Sequence, residues 1–324
     1  MRPDATGHSD PLVASGAPFV ASGAPFPAAT HTPQALSFVH RAGRWDLSRQ
    51  ARVVGILNVT PDSFSDGGRF LAPERAIAHA ERMAEEGADA IDVGGQSTRP
   101  GGAGSVGADE EWARVGPVLE ALAGRVGIPL SIDTYWGDVA RRALDVGVAM
   151  VNDVSGLRVD PALADAAARA GAGLVLMHSR GAPAAMHARY EYEDLPGEIG
   201  VALAAAAGEA QRRGVARERI ALDPGIGFSK RAEQSLEALR GLPRLTALGY
   251  PLYIGVSRKS FLGAWSGRPV GERLAAGLAV SVAAYTLGAR IFRTHDVRET
   301  RDALRAAEAV LAPATETESA ESRA

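Results

Sequence analysis

Eight short apolar runs, each followed by a segment long enough to carry a helix back to the start of the next, leave this chain few folds to choose from. From Val53 onward the runs centre on Val53 to Leu57, Ala90 to Val93, Pro129 to Ile132, Ala149 to Val151, Gly173 to Met177, Arg219 to Leu222, Pro251 to Val256 and Arg290 to Phe292. Between the first two, Ala76, Ile77, Ala80, Met83 and Ala84 recur at helical spacing and stop at Gly87. Gly147, Gly171, Gly214, Gly249 and Gly288 stand where later helices should end. Eight strand-helix repeats predict an α/β fold, a parallel (β/α)8 barrel of the TIM type rather than an open sheet. The chain has 324 residues, 46% of them hydrophobic, which is enough to fill one such barrel.

The barrel is expected over residues 35–312, with disordered segments at 1–34 and 313–324. Val13 to Phe19 is repeated without change at 20–26, in surroundings rich in Pro, Ala, Gly and Thr, which marks low-complexity sequence. Leu36 to Leu47 alternates about Ala42-Gly43 as a short hairpin would, and could cap the bottom of the barrel. The run from Leu274 to Ala289 carries no charge but is too short to span a bilayer, and reads as a buried helix. Lys and Arg total 35 against 38 Asp and Glu, a net charge of −3 that gives no footprint for nucleic acid or an anionic membrane. With no cysteine, disulfides, thiolate catalysis and cysteine zinc sites are excluded, and the expected location is the cytoplasm.

Nearly every run ends in a polar residue: Asn58, Asp92, Asp133, Asn152 with Asp153, His178, Asp223, Ser257-Arg258-Lys259, and Arg293 with His295 and Asp296. Any one of these is accounted for as a cap or turn residue. Eight together, converging on one barrel mouth, are not, and they mark an active site. Two ends open long loops. Asn58 leads into Thr60-Pro-Asp-Ser-Phe-Ser-Asp-Gly-Gly68, and Asp92 into Ile91-Asp-Val-Gly-Gly-Gln-Ser-Thr-Arg-Pro100, where Asp92 reads as an organiser and Ser97, Thr98 and Arg99 as the tip. Both loops suit mobile lids.

Acceptors (Asp133, Asn152, Asp223) lie on the middle strands and cations (Arg258, Lys259, Arg293, His295) on the last two. Buried carboxylates are costly unless satisfied, so the acceptors suit a flat ligand with several N–H donors. The basic end suits a phosphate or diphosphate, helped by a helix start after Lys259. No His and carboxylate pair stands at metal-ligand spacing. Asn58 could give one oxygen to a magnesium ion otherwise held by water and diphosphate. His178, Tyr135-Trp136 and Tyr190 to Tyr192 read as packing residues.

These residues resemble dihydropteroate synthases, the pterin-binding enzymes of the folate pathway. The resemblance runs from about Val53 to Val297. It is carried by Gly55-Ile-Leu-Asn-Val-Thr-Pro-Asp-Ser-Phe-Ser-Asp-Gly-Gly68, Ile91 to Pro100, Ser131-Ile-Asp-Thr134, Val151-Asn-Asp-Val154, Leu222-Asp-Pro-Gly-Ile-Gly-Phe228, Gly255-Val-Ser-Arg-Lys-Ser260 and Arg293-Thr-His-Asp-Val297. It implies condensation of 7,8-dihydropterin-6-ylmethyl diphosphate with 4-aminobenzoate. On the matched positions Asp133, Asn152, Asp223 and Lys259 would hold the pterin, Asn58 would bind Mg²⁺, and Arg293 with His295 would grip the diphosphate. Thr98 would lie against the diphosphate arm, Arg99 would bind substrate from the same loop tip, and Ser257 or Ser260 would sit by the aminobenzoate, with Phe228 and Pro100 as walls. Asp133, Lys259, Arg293 and His295 would be the catalytic set. The resemblance also implies a homodimer through helices late in the barrel, from about Glu272 to Gly288 and beyond.

Three positions depart from the family pattern: Gln96 for Glu, Trp136-Gly137 for Lys-Pro, and Gln234-Ser235 for His-Asn. The lost loop carboxylate predicts near-normal substrate affinity with altered turnover, an idea that unchanged steady-state constants in Gln96→Glu would remove. A methyltetrahydrofolate-binding barrel would share the Asp and Asn acceptors but needs no diphosphate grip. A non-catalytic pterin-binding paralogue is the other alternative.

Overall fold

The computed structural model describes residues 36–59, 68–96, 106–181 and 190–312. The low-complexity termini and both long loops, residues 60–67 and 97–105, lie outside these. Eight parallel strands form the barrel: β3 (Arg52–Asn58), β4 (Ala90–Gly94), β5 (Leu130–Asp133), β6 (Met150–Asp153), β7 (Gly173–Met177), β8 (Ile220–Asp223), β9 (Tyr253–Gly255) and β10 (Ile291–Thr294). They pair in the order β8-β7-β6-β5-β4-β3-β10-β9. Leu222 bridges Leu252 in parallel and its N–H donates to the Pro251 carbonyl at 2.9 Å, which draws the two edges together. Each predicted apolar run is therefore one strand of the barrel.

Strand side chains alternate, and the two sets face different partners. Val53, Leu57, Ile91, Val93, Ile132, Val151, Leu174 and Leu176 pack outward beneath the helices. The alternate set (Val54, Ala90, Met150, Val175, Ala221, Tyr253 and Ile291) forms the interior at the N-terminal end. Helices α1 (Gly68–Glu85), α2 (Ala108–Leu122), α3 (Gly137–Asp145), α4 (Ala162–Ala170), α5 (Leu195–Arg212), α6 (Ala232–Arg240), α7 (Leu242–Thr246), α8 (Ser260–Ser266), α9 (Leu274–Thr286) and α10 (Val297–Leu311) fill the crossovers. On α1 the predicted face is buried at Ala76, Ile77, Ala80 and Met83. The six glycines expected after helices all adopt positive φ, from 62° at Gly171 to 104° at Gly147, where a side chain would be strained.

The predicted hairpin is present as β1 (Ser37–His40) and β2 (Gly43–Asp46), antiparallel with Phe38 opposite Trp45. Phe38, Trp45 and Leu47 join the interior set and so plug the N-terminal end. Phe38 is fully buried, and a Cβ on Gly173 would stand 2.6 Å from its ring, so β7 must begin with glycine. One expectation is corrected. The uncharged run from Leu274 is a helix, α9, but not a buried one, since it buries only Gly277, Ser281, Ala284 and Tyr285 and leaves Leu274 39% exposed. Three of those four are small, and Tyr285 is the one large side chain that α9 turns inward.

Candidate active site

The floor of the mouth is one charged cluster. Arg293, at the end of β10, donates through Nε to Asp92 Oδ2 at 2.6 Å and through Nη2 to Asp133 Oδ2 at 2.8 Å. Asn152 Nδ2 donates to the same Asp92 oxygen at 3.0 Å. Asp92 is fully buried on β4, and its Oδ1, Asn152 Oδ1 and the Tyr253 hydroxyl are buried without a hydrogen-bond partner. Parallel register assembles the cluster, because Gly94 pairs with Asp133 and Asp133 with Asn152 on consecutive strands. A Cβ on Gly94 would lie 3.4 Å from Asp133 Cβ, so the glycine leaves that carboxylate its room.

Burial pushes the Asp133 carboxyl up to about 7, against the pull of Arg293 and with the push of Asp92, Asp153 and Asp223. Two carboxylates share one guanidinium here. Burial likewise raises Asp223, whose Oδ1 accepts from the Gly225 N–H at 2.6 Å. Lys259 is drawn down to about 8, chiefly by burial and opposed by Asp223. Its Nζ donates to the Ile226 carbonyl at 2.5 Å and sits 4.5 Å from the centre of the Phe228 ring. A carboxylate and an ammonium that both lose charge near neutrality can trade protons with a polar heterocycle at little cost.

On the rim, Ser257 Oγ lies 3.0 Å from His295 Nδ1 and accepts from the His295 N–H at 3.2 Å. Arg258 is turned to Asp296 at 2.5 Å, so its charge is already paired. Ser260 is exposed at the first residue of α8, and Lys259 holds that helix's N-cap position. Asn58 ends β3, half buried, in register with Gly94. Among the described residues no cluster of three His or carboxylate groups could hold a metal. An amide oxygen at the mouth still fits a hard cation that keeps most of its water shell. The mouth thus gathers Asn58, Asp133, Asn152, Asp223, Phe228, Ser257, Lys259, Arg293 and His295. Thr98, Arg99 and Pro100 lie outside the described residues.

Three buried groups were not singled out from the sequence: Glu111, Tyr253 and Lys230. Glu111 accepts from the Thr134 hydroxyl at 2.9 Å, and Lys230 approaches His178 Nδ1 at 3.0 Å. Glu111 lies on a helix face and Lys230 in a loop, while Tyr253 stands inside an apolar strand run, so nothing local to any of the three marks it out. His178 is buried at the end of β7, and Tyr192 and Tyr135 are packed and hydrogen-bonded, as expected for packing residues. The departures from the family pattern also find local partners. Gln96 Oε1 accepts from Tyr135 Oη at 2.7 Å, which a carboxylate could equally do. Gln234 accepts from the Arg231 N–H at 2.9 Å and donates to the Tyr190 carbonyl at 2.6 Å.

The sequence profile of the family described as pterin binding enzyme matches residues 54–295. A dihydropteroate synthase of Synechocystis sp. is 45% identical over 82% of this chain and 92% of its own. The dihydropteroate synthase of Clostridium difficile, solved in the presence of pteroic acid, superposes with a TM-score of 0.78 at 43% identity, covering 82% of this chain and 99% of that one. That of Xanthomonas albilineans, solved with 4-aminobenzoic acid, gives 0.77 at 42% identity, over 83% and 96%.

Proposed function

Because this chain belongs to the pterin-binding enzymes, among the dihydropteroate synthases, we infer that its barrel mouth joins 7,8-dihydropterin-6-ylmethyl diphosphate to 4-aminobenzoate, giving 7,8-dihydropteroate and diphosphate. The observation that carries this reading is the gathering of Asp133, Asn152, Asp223 and Lys259 around Arg293 at one mouth. The acceptors match the ring N–H and amino groups of a dihydropterin, and Lys259 donates to its acceptor edge. Phe228 and Ser257, with Ser260 at the start of α8, border the space for the aminobenzoate. Thr98, at the diphosphate arm, and Arg99, as a further substrate-binding residue, belong to the same reading.

The reaction proposed is a dissociative substitution. The bond between the methylene carbon and the diphosphate oxygen breaks, and both electrons leave with the diphosphate. Arg293 and His295 balance that developing charge, the kind of electrostatic stabilisation that is often the largest catalytic term. Arg293 enters the step from its bridge between Asp92 and Asp133, so turning toward the diphosphate would release Asp133 to face the cationic methylene. The aniline nitrogen then attacks and sheds a proton to solvent. Asn58 would hold Mg²⁺ when it is bound, and the ion would supply further charge neutralisation of the leaving group. A secondary isotope effect at the methylene carbon is expected, and its absence together with absence of positional scrambling would refute the dissociative path.

Diphosphate release from the dihydropterin substrate, followed with and without 4-aminobenzoate, tests the whole reading. Release coupled to dihydropteroate formation is expected. No release would point to a binding paralogue, and methyl transfer from methyltetrahydrofolate to the alternative barrel. A homodimer through α9 belongs to the same proposal, supported by exposed Trp265 on α8, Val270 in the turn that follows and Leu274 at the start of α9, and sedimentation should give twice the chain mass. No described helix is long and apolar enough to cross a membrane. A cytoplasmic location is proposed on a chain built without cysteine.

A further inference from the structure

Two lysines hold the backbone of the loop between β8 and α6. Lys259 donates to the Ile226 carbonyl and lies over the Phe228 ring. Lys230 is only 5% exposed, and its Nζ meets the Gly225 carbonyl at 3.0 Å, the Phe228 carbonyl at 3.1 Å and His178 Nδ1 at 3.0 Å. An ammonium has three N–H donors, and here three acceptors meet them. His178 is suited to accept, since burial and the adjacent Lys230 push its imidazole down to about 2 and keep it neutral. The backbone N–H of His178 donates to the Asp223 carbonyl at 2.8 Å. The ends of β7 and β8 and the loop that follows are thereby tied at a single nitrogen.

The loop has little freedom of its own to hold this shape. Gly225 and Gly227 have φ of 66° and 79°, and Ser229 takes a φ of 50° that non-glycine residues rarely adopt. A Cβ on Gly225 would stand 1.9 Å from the His178 carbonyl oxygen. An apolar side chain in place of Lys230 would fill the space but strand three buried acceptors, each of which would then favour another loop conformation. Burial also draws the Lys230 amine down to about 7, with Asp223 opposing and Lys259 adding to the fall. Packing alone would not call for so costly a group at this place.

We propose that Lys230 is a positioning residue for pterin binding, setting the Gly225 to Phe228 backbone and through it the aim of Lys259 and the Phe228 ring. The proposal rests on the reading of Asp223 and Lys259 as pterin ligands. It is tested by calorimetric titration of 6-hydroxymethyl-7,8-dihydropterin, which cannot lose diphosphate, into the full-length protein and its variants. Lys230→Met should weaken binding about tenfold or more, Lys259→Met should also weaken it, and the double variant should bind little worse than Lys259→Met alone, as expected of coupled sites. Losses that multiply, or a folded Lys230→Met with unchanged affinity, would overturn the proposal. Lys230→Arg keeps the charge but spreads its donors over a planar fork. If the methionine variant does not fold, weakened binding in Lys230→Arg supports the proposal and full affinity overturns it. A wild-type protein that binds no dihydropterin would instead refute the pterin reading beneath it.

Discussion

Glu111 shows how far a single carboxyl can be moved by its surroundings. It is 1% exposed on α2, and its hydrogen bond from Thr134 does not offset the loss of water, so burial raises it to about 8, with Asp133 adding to the rise and Arg114 opposing it. The folded protein therefore keeps this proton at pH values where the unfolded chain has lost it. Stability from this group is fully present below about pH 4.5 and drains away up to about pH 8, at roughly 1.4 kcal/mol per pH unit for one proton. Glu111→Gln removes the titration and can keep a hydrogen bond to Thr134. Its melting temperature should rise relative to wild type as pH is taken from 5 to 8, and a difference that stays flat over that span would show that Glu111 is ionised in the fold. The sequence places Glu111 on a helix of good acidic first-turn composition, Asp109-Glu110-Glu111, and nothing in that local pattern separates the buried member from the other two. Arg293 and Asp133 were legible because they stand at strand ends, whereas their mutual hydrogen bond depends on the barrel closing.

Among elements, α3 reverses what helix rules suggest. It begins at Gly137, where proline is normally favoured because the first helical N–H has no partner. Here that N–H donates to Asp160 Oδ2 at 2.7 Å, and a Cβ would stand 2.8 Å from the same oxygen and 3.0 Å from the Leu163 nitrogen. The departure from the family's Lys-Pro is thus fitted to the loop before α4. Gly137→Pro should lose the hydrogen bond and clash as well, costing about 2–4 kcal/mol in chemical denaturation. A neutral or stabilising result would show that the start of α3 shifts freely. The strands were legible from apolar runs, and the helix ends from glycines, since a positive φ is a local demand written into the residue itself. The burial of α9 was not, because an uncharged run reports only that charge is missing. Whether such a helix faces a core, a solvent surface or a second copy depends on neighbours far away in sequence.

At the scale of the whole molecule, the (β/α)8 architecture was legible from repetition, while the two ends of the barrel had to be read separately. The C-terminal ends carry the polar residues, and the N-terminal end is closed by a hairpin that adds no chemistry. Phe38, Trp45 and Leu47 cover Val54, Ala90, Val175, Ala221, Tyr253 and Ile291, which would otherwise line an open, wet cup. Each large side chain buried there contributes about 2–3 kcal/mol. Two truncations divide the extension from the plug. Removal of residues 1–33 should leave the melting temperature and turnover unchanged, because the plug begins after that point. Removal of residues 1–47 should cost about 5 kcal/mol or more from three lost anchors, lowering the melting temperature of a chain this size by about 10 °C. The Asp92, Asp133 and Arg293 cluster is held by β4, β5 and β10 rather than by the hairpin, so activity measured well below the new melting temperature should survive. Equal loss in both truncations would show that the first 33 residues pack on the barrel. A loss of turnover without loss of stability in the longer one would show that the plug sets the floor of the site.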